Sequence, residues 1–248
     1  MAATTSAAQL TELHRQAQLA LRAALVTDVL RLWPMFDVDD IGASWAALEP
    51  ALLAMVLAYG NMSAGLAGGY YEEFRSAEGI AGVPTPRMAG PASADELVGT
   101  LRLVGPTSAR QLAAAGRTDV IEVTFSNVAG ETSRQVLNQG RGTIEESVAA
   151  DAKALGWSRV TDSKPCAFCR MLAGRGPVYR SQKAGAFRAH GHCGCSLEPV
   201  YDRDAPWPGQ AREFHDEWKQ VTKGLSGADA RLAYRQHVEG RGRDGHQH

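Results

Sequence analysis

Residues 156–201 read GWSRVTDSKPCAFCRMLAGRGPVYRSQKAGAFRAHGHCGCSLEPVY. The texture of the chain changes here from helical to mixed. The runs 157–161, 177–181 and 195–201 are short, carry β-branched and aromatic residues, and are separated by Gly, Pro and Asp. Such runs between turn-forming residues predict strands. The same stretch holds all four cysteines of the 248-residue chain and two of its seven histidines.

Working outward, residues 6–33 predict a helix. Leu10, Leu13, Ala17, Leu21, Leu25 and Val29 recur at helical spacing, Leu30 and Trp33 extend the stripe, and Pro34 ends it. A second helix is expected from near Ser44 to Tyr70 or beyond, with Pro50 in its first turn. Its many small residues include Gly60, Ser63, Gly65, Gly68 and Gly69. Glycine costs up to about 1 kcal/mol per helical position, so either close helix approach or a kink near Gly68 is expected. Residues 79–93 form a Pro/Gly connector, and Ser93 with Glu96 makes a capping-box pattern. Helical pieces follow from Thr107 to about Leu155, with breaks expected at 115–119 and 138–142. Beyond 202 one helix or two are expected, with 241–248 disordered. The expected class is therefore α+β: a mostly helical domain over 1–150, a small Cys/His module over 151–202, and a helical or disordered tail over 203–248.

Composition limits the function classes. Net charge is −1, which favours neither nucleic acid nor membrane as a global partner. The balance is uneven: residues 1–100 carry five basic and eleven acidic side chains, and 101–248 carry 21 and 16. The N-terminal residues lack the basic-then-apolar order of a signal peptide. The most apolar run, 51–59, falls short of the roughly 20 residues of a membrane span. A soluble protein made in a cytoplasm is expected, where thiols stay reduced.

The cysteine pattern is Cys166-x2-Cys169, twenty residues, then His190-x-His192-Cys193-x-Cys195. Two soft ligands in a tight loop, met by a second pair about twenty residues on, is a spacing typical of a zinc site. Cys193 and Cys195 reach one ion together only if the chain turns between them, which Gly194 permits. Otherwise His190 or His192 supplies the fourth ligand. A metal-free cluster of reduced thiols and a disulfide or redox pair are the competing readings. Deaminases pair Pro-Cys-x2-Cys with an upstream His-x-Glu, but no histidine lies between His14 and His190. No Ser/His/Asp or Ser/Lys set composes a protease site, so a non-enzymatic role is expected. Among the bland readings, Arg134, Asn138 and Arg141 are expected on a solvated helix face and Asp162 at a turn. Tyr70 and Tyr71 are expected in a core or interface, and His215 and His237 on the surface. Arg170, Arg175, Arg180, Lys183 and Arg188 form a basic rim around the cysteines that could meet DNA or an acidic protein.

Residues 156–201 resemble the cysteine module of the MuF-like minor capsid (phage head morphogenesis) proteins of tailed bacteriophages, in their actinobacteriophage-like form. The upstream stretch 133–156 resembles that family's helical lead-in. The shared pattern is Cys-x2-Cys, a variable loop and His-x2-Cys-x-Cys, filled here by Cys166, Cys169, His190, Cys193 and Cys195. Asp162 in Asp-x-x-Pro-Cys and Gly174 in Leu-x-Gly agree with it. The resemblance implies a minor component of the virion head, synthesised in the bacterial host cytoplasm and associated with portal or major capsid protein. Together with the Cys/His spacing, which predicts a structural Zn2+ site, this is the expected function; a nucleic-acid-binding zinc module or an injected virion effector or enzyme is the alternative.

Overall fold

The structure, a computed structural model, describes residues 2–83, 85–179, 187 and 189–244. Helix α1 spans Thr5–Leu32 and α2 spans Ile41–Ala77, with a 3-10 turn at Trp33–Met35 between them. The helices α3 (Ala94–Arg102), α4 (Ser108–Ala114) and α5 (Val120–Ala150) follow, a π-helical turn at Leu103–Thr107 joining the first two. Strand β1 (Gly156–Val160), helix α6 (Ala167–Ala173), and strands β2 (Val178–Tyr179) and β3 (Ser196–Val200) make up the next part. Helices α7 (Ala211–Val221) and α8 (Gly227–Asp244) close the described chain. The class is α+β with a mainly helical part, as the sequence pattern indicates.

The first helix starts where Thr4 accepts a hydrogen bond from the Ala7 amide, satisfying one of the donors that a helix start leaves free. Its C-terminal half buries the expected Leu21, Leu25 and Val29. Its N-terminal half does not follow the apolar stripe. Leu13 is 60 % exposed, whereas Thr11, His14 and Gln18 are buried; Leu30, in the last turn, is exposed as well. These polar residues face in because partners await them. Thr11 bonds Tyr70 and Glu198, Gln18 bonds Ser63, and the His14 ring stacks on Tyr70 at 4.3 Å.

Helix α2 begins three residues before Ser44, because Asp40 accepts from the Ala43 amide and caps it; Ser44 instead bonds back to Asp37 and Asp40. Pro50 therefore lies in the third turn, not the first, on the exposed side of the helix. The helix runs through Gly68 and Gly69 without ending. By length and composition it could cross a membrane, which the run 51–59 alone did not indicate. In this fold one side packs into the core through Trp45, Leu48, Leu52, Val56, Tyr71 and Phe74, while Leu57, Met62 and Leu66 are exposed.

Helix α5 is continuous through 138–142, where a break was expected from its glycines. Gly140 lies against Ser63 and Gln18, and Gly142 against Ala89. The glycines let α2 and the connector approach α5, and that packing overrides their poor helix propensity. Two apolar clusters flank α5. One joins α1, α2, α3 and α5 through Leu25, Trp45, Leu52, Leu101, Val128 and Val136. The other joins Ala7, Tyr71, Phe74, Ile144, Val148 and Leu197, and so runs across residue 150 into β3.

The sheet has the order β2-β1-β3 and is antiparallel throughout, with Trp157 opposite Val178 and Pro199, and Ser158 opposite Glu198. Strand β3 is buried along its whole length. The tail forms two helices. Tyr234 of α8 is buried and donates to Glu217 of α7. Helix α8 continues to Asp244, so disorder does not begin at 241; each further helical residue adds one hydrogen bond and the helix propagates. Residues 245–248 lie outside the described residues.

These contacts separate the glycines of α2 and α5. A Cβ on Gly140 would sit 2.5 Å from Ser63 Oγ and 3.0 Å from the Ser63 carbonyl oxygen, whereas a Cβ on Gly65 meets nothing within 4 Å. Gly140→Ala is expected to destabilise the protein by about 1–3 kcal/mol. Gly65→Ala is expected to stabilise it by roughly 0.5–1 kcal/mol. Urea unfolding of the two variants checks the opposite signs.

Candidate metal centre

The cysteine cluster is assembled by three elements. Cys166 occupies the cap position of α6 and Cys169 its first turn, so the three-residue spacing puts both sulfurs on one side of the helix. Helix α6 is anchored on α7: a Cβ on Gly174 would meet the His215 amide, and His215 Nδ1 lies 2.7 Å from the Gly174 carbonyl oxygen. His215 is thus a packed residue rather than a free surface one.

The second half is a turn. The Cys193 amide bonds the His190 carbonyl at 3.2 Å, and His192 adopts φ +62°. The left-handed residue is therefore His192, not the expected Gly194. Gly194 is needed for space, because a Cβ there would lie 2.6 Å from Asp162 Oδ2. Asp162 itself holds a turn by accepting from the Lys164 amide. The His192 side chain points to α5, 3.5 Å from Ser126 Oγ and against Gly130, and belongs to neither group of candidate ligands.

The remaining five candidates come together in two groups that share Cys169: Cys166, Cys169 and His190, and Cys169, Cys193 and Cys195. His190 Nε2 lies 3.0 Å from Cys166 Sγ and 3.5 Å from Cys169 Sγ, and the Cys169 and Cys193 sulfurs are 3.7 Å apart. A tetrahedral ion with Zn–S bonds near 2.3 Å holds its sulfurs roughly 3.8 Å apart, and a sulfur and a nitrogen roughly 3.5 Å apart. The spacing around Cys169 fits a metal ion of that size. Cys166 and His190 are exposed, whereas Cys169, Cys193 and Cys195 are buried.

The ligand groups also share protons. Hydrogen bonds from the Cys169 thiol and amide and from His190 hold the Cys166 thiol down to about 5, against the effect of burial. Cys169 is pushed up, because its proton bridges to Cys166 and Cys193, and Cys193 is pushed down for the same reason. The sulfurs and His190 thus form one hydrogen-bonded array, in which a soft cation can take the place of shared protons.

Sequence reasoning missed the group that supports this array. Arg141 is not on a solvated face but 3 % exposed. It donates through Nη2 to the Cys193 carbonyl at 2.6 Å and through Nε to the Cys195 carbonyl at 2.9 Å. Burial lowers its pKa, with the Cys193 and Cys195 thiols acting in the other direction. The available signal was its place between Gly140 and Gly142 on a helix otherwise lined with small residues. Arg134 is tied to Glu131, and Asn138 accepts from Arg141. The basic rim is also partly engaged. Arg170 lies over the Phe214 ring and 3.6 Å from Glu217, and Arg175 is exposed. Arg180, Lys183 and Arg188 lie outside the described residues.

The family model described as VG15 protein matches residues 4–221. The chain belongs to the VG15 family. This is a family of viral, phage-encoded proteins, and the match takes in the helical part, the sheet and the cysteine cluster together. No curated protein and no solved structure matches this VG15 chain.

The array has a direct chemical consequence. In the metal-free protein Cys166 is the exposed thiol of the cluster, and its hydrogen bonds to Cys169 and His190 favour its thiolate form. Iodoacetamide at pH 6.5 is expected to label Cys166 selectively, with Cys169, Cys193 and Cys195 labelled only on unfolding. Peptide mass spectrometry reads the order; equal labelling of all four in the folded protein contradicts it.

Proposed function

We propose that this VG15 protein is a structural, non-enzymatic component of a phage head, of the MuF-like minor capsid kind. It is made in the bacterial cytoplasm and joins the virion through portal or major capsid protein. One zinc ion, held by four of Cys166, Cys169, His190, Cys193 and Cys195, stabilises its small sheet region. The observation that carries the metal reading is the pair of ligand groups meeting at Cys169 with separations of 3.5 and 3.7 Å. Family membership supports the phage assignment, and the Cys-x2-Cys and His-x2-Cys-x-Cys pattern of residues 166–195 supports the head assignment. When bound, the ion supplies cross-linking free energy: it ties α6 to the turn before β3, two segments too short to hold each other by apolar contact.

Metal analysis of the purified full chain is expected to find about one zinc per molecule, with loss of thermal stability in chelator. Cys169 stands in both ligand groups, so Cys169→Ser should abolish zinc retention, whereas His192→Ala should leave it intact. A metal-free wild-type protein with unchanged melting in chelator rejects the site. The head assignment is tested separately by cross-linking mass spectrometry on assembled heads. Cross-links to portal or major capsid protein are expected; absence of the chain from both virions and proheads rejects the assignment.

A further inference from the structure

Arg141 presents a physical problem that the metal-free chain does not solve. Its guanidinium is buried in the middle of α5, and its three hydrogen-bond acceptors are neutral: the carbonyls of Cys193 and Cys195 and, at 2.8 Å, Asn138 Oδ1. Among the described residues no carboxylate bonds it. A buried charge without a counter-charge is strongly unfavourable.

The charged and titratable groups around it come from each neighbouring element. From the turn before β3 come Cys193 and Cys195, whose carbonyls Arg141 holds, and from α6 comes Cys169, whose sulfur lies 3.7 Å from that of Cys193. From β1 comes Arg159, a like charge; both guanidinium groups lie over the Phe187 ring, at 5.0 Å and 3.7 Å from its centroid. From α5 itself comes Glu145, one turn on, which accepts from the Phe187 amide at 2.8 Å. Glu145 feels the positive charge of Arg141 without bonding it, so the groups that Arg141 holds directly, the Cys193 and Cys195 carbonyls, belong to the turn that carries the ligand cluster.

We propose that Arg141 is the positioning residue and counter-ion of the metal centre. The proposal rests on the reading of the cluster as a metal site. A divalent ion with three thiolates and a histidine carries a net charge of −1, and with four thiolates −2, so a loaded centre has the negative charge that the buried guanidinium lacks. The planar fork does a second thing. By holding the Cys193 and Cys195 carbonyls at once, it fixes the turn so that both sulfurs stay beside Cys169. A lysine at 141 would keep the charge and lose the two-point hold, so the two contributions are separable.

The test uses the full-length protein and its Arg141→Met and Arg141→Lys variants, with zinc and cobalt(II) as probes. Zinc affinity is measured by chelator competition. The thiolate-to-cobalt charge-transfer band reports the ligand geometry, and melting is compared with and without zinc. Arg141→Met is expected to bind zinc about 10–100-fold more weakly than wild type, with Arg141→Lys between them and a shifted cobalt band in both. Zinc should raise the melting temperature of wild type by more than that of either variant. A merely structural arginine would lower the loaded and metal-free melting temperatures equally, and equal zinc-induced shifts in wild type and Arg141→Lys overturn the proposal even if Arg141→Met fails to fold. Wild type that takes up neither ion overturns the metal reading and this proposal with it. Wild-type uptake with unchanged affinity and band in the folded variants overturns the role of Arg141 alone.

Discussion

Helix α5 is enclosed by α1, α2, the connector and β3, and the rest of the structure depends on how closely those elements can approach it. A helix exposed on one side can carry one apolar stripe; α5 needs small or inward-bonded side chains on several. Thr132, Ser133, Thr143 and Ser147 satisfy their hydroxyls on carbonyls of their own helix. Gly130 makes room for His192, Gly140 for Ser63, and Gly142 for Ala89. Each glycine weakens the helix locally, and each allows a contact that holds another element in place. Continuity through 138–142 follows from that balance.

The interface between the helices and the sheet is polar as well as apolar. Glu198 of β3 is buried and accepts from Thr11 and from the Ala2 amide, while Thr11 also meets Tyr70. At the other end, Asp151 receives Arg75, Tyr71 and Tyr201, joining α2, the end of α5 and the end of β3. Such networks contribute little net stability when complete, but leave a large penalty if one partner is lost. They set the sheet on the helices in one register, which apolar contact between Leu197, Phe74 and Ile144 alone would leave less defined.

The cysteine cluster extends the same logic. Its two halves come from α6 and from a turn, and each is positioned by something outside the cluster: α6 by its contact with α7, the turn by Arg141 and by Arg22, which donates to the His192 carbonyl. The sulfurs meet because elements outside the cluster hold its backbone.

Much of this was legible in the residues. Strong local signals determined the helices near 5–32 and 94–102, the three short strands and the place of the thiols, because caps, Pro/Gly punctuation, β-branched runs and Cys spacing act over a few residues. Where two distant segments had to meet, local signals misled. Leu13 keeps helical spacing yet faces solvent, since Tyr70 and Glu198 draw Thr11 and His14 inward. The glycines of 138–142 read as a break but serve close approach, and Arg141 read as a solvated charge but is buried on the cysteine turn. The sequence by itself determined which residues could form helix, strand and ligand. Only the tertiary structure decided which faces turned inward, because burial free energy depends on a partner that the local sequence does not contain.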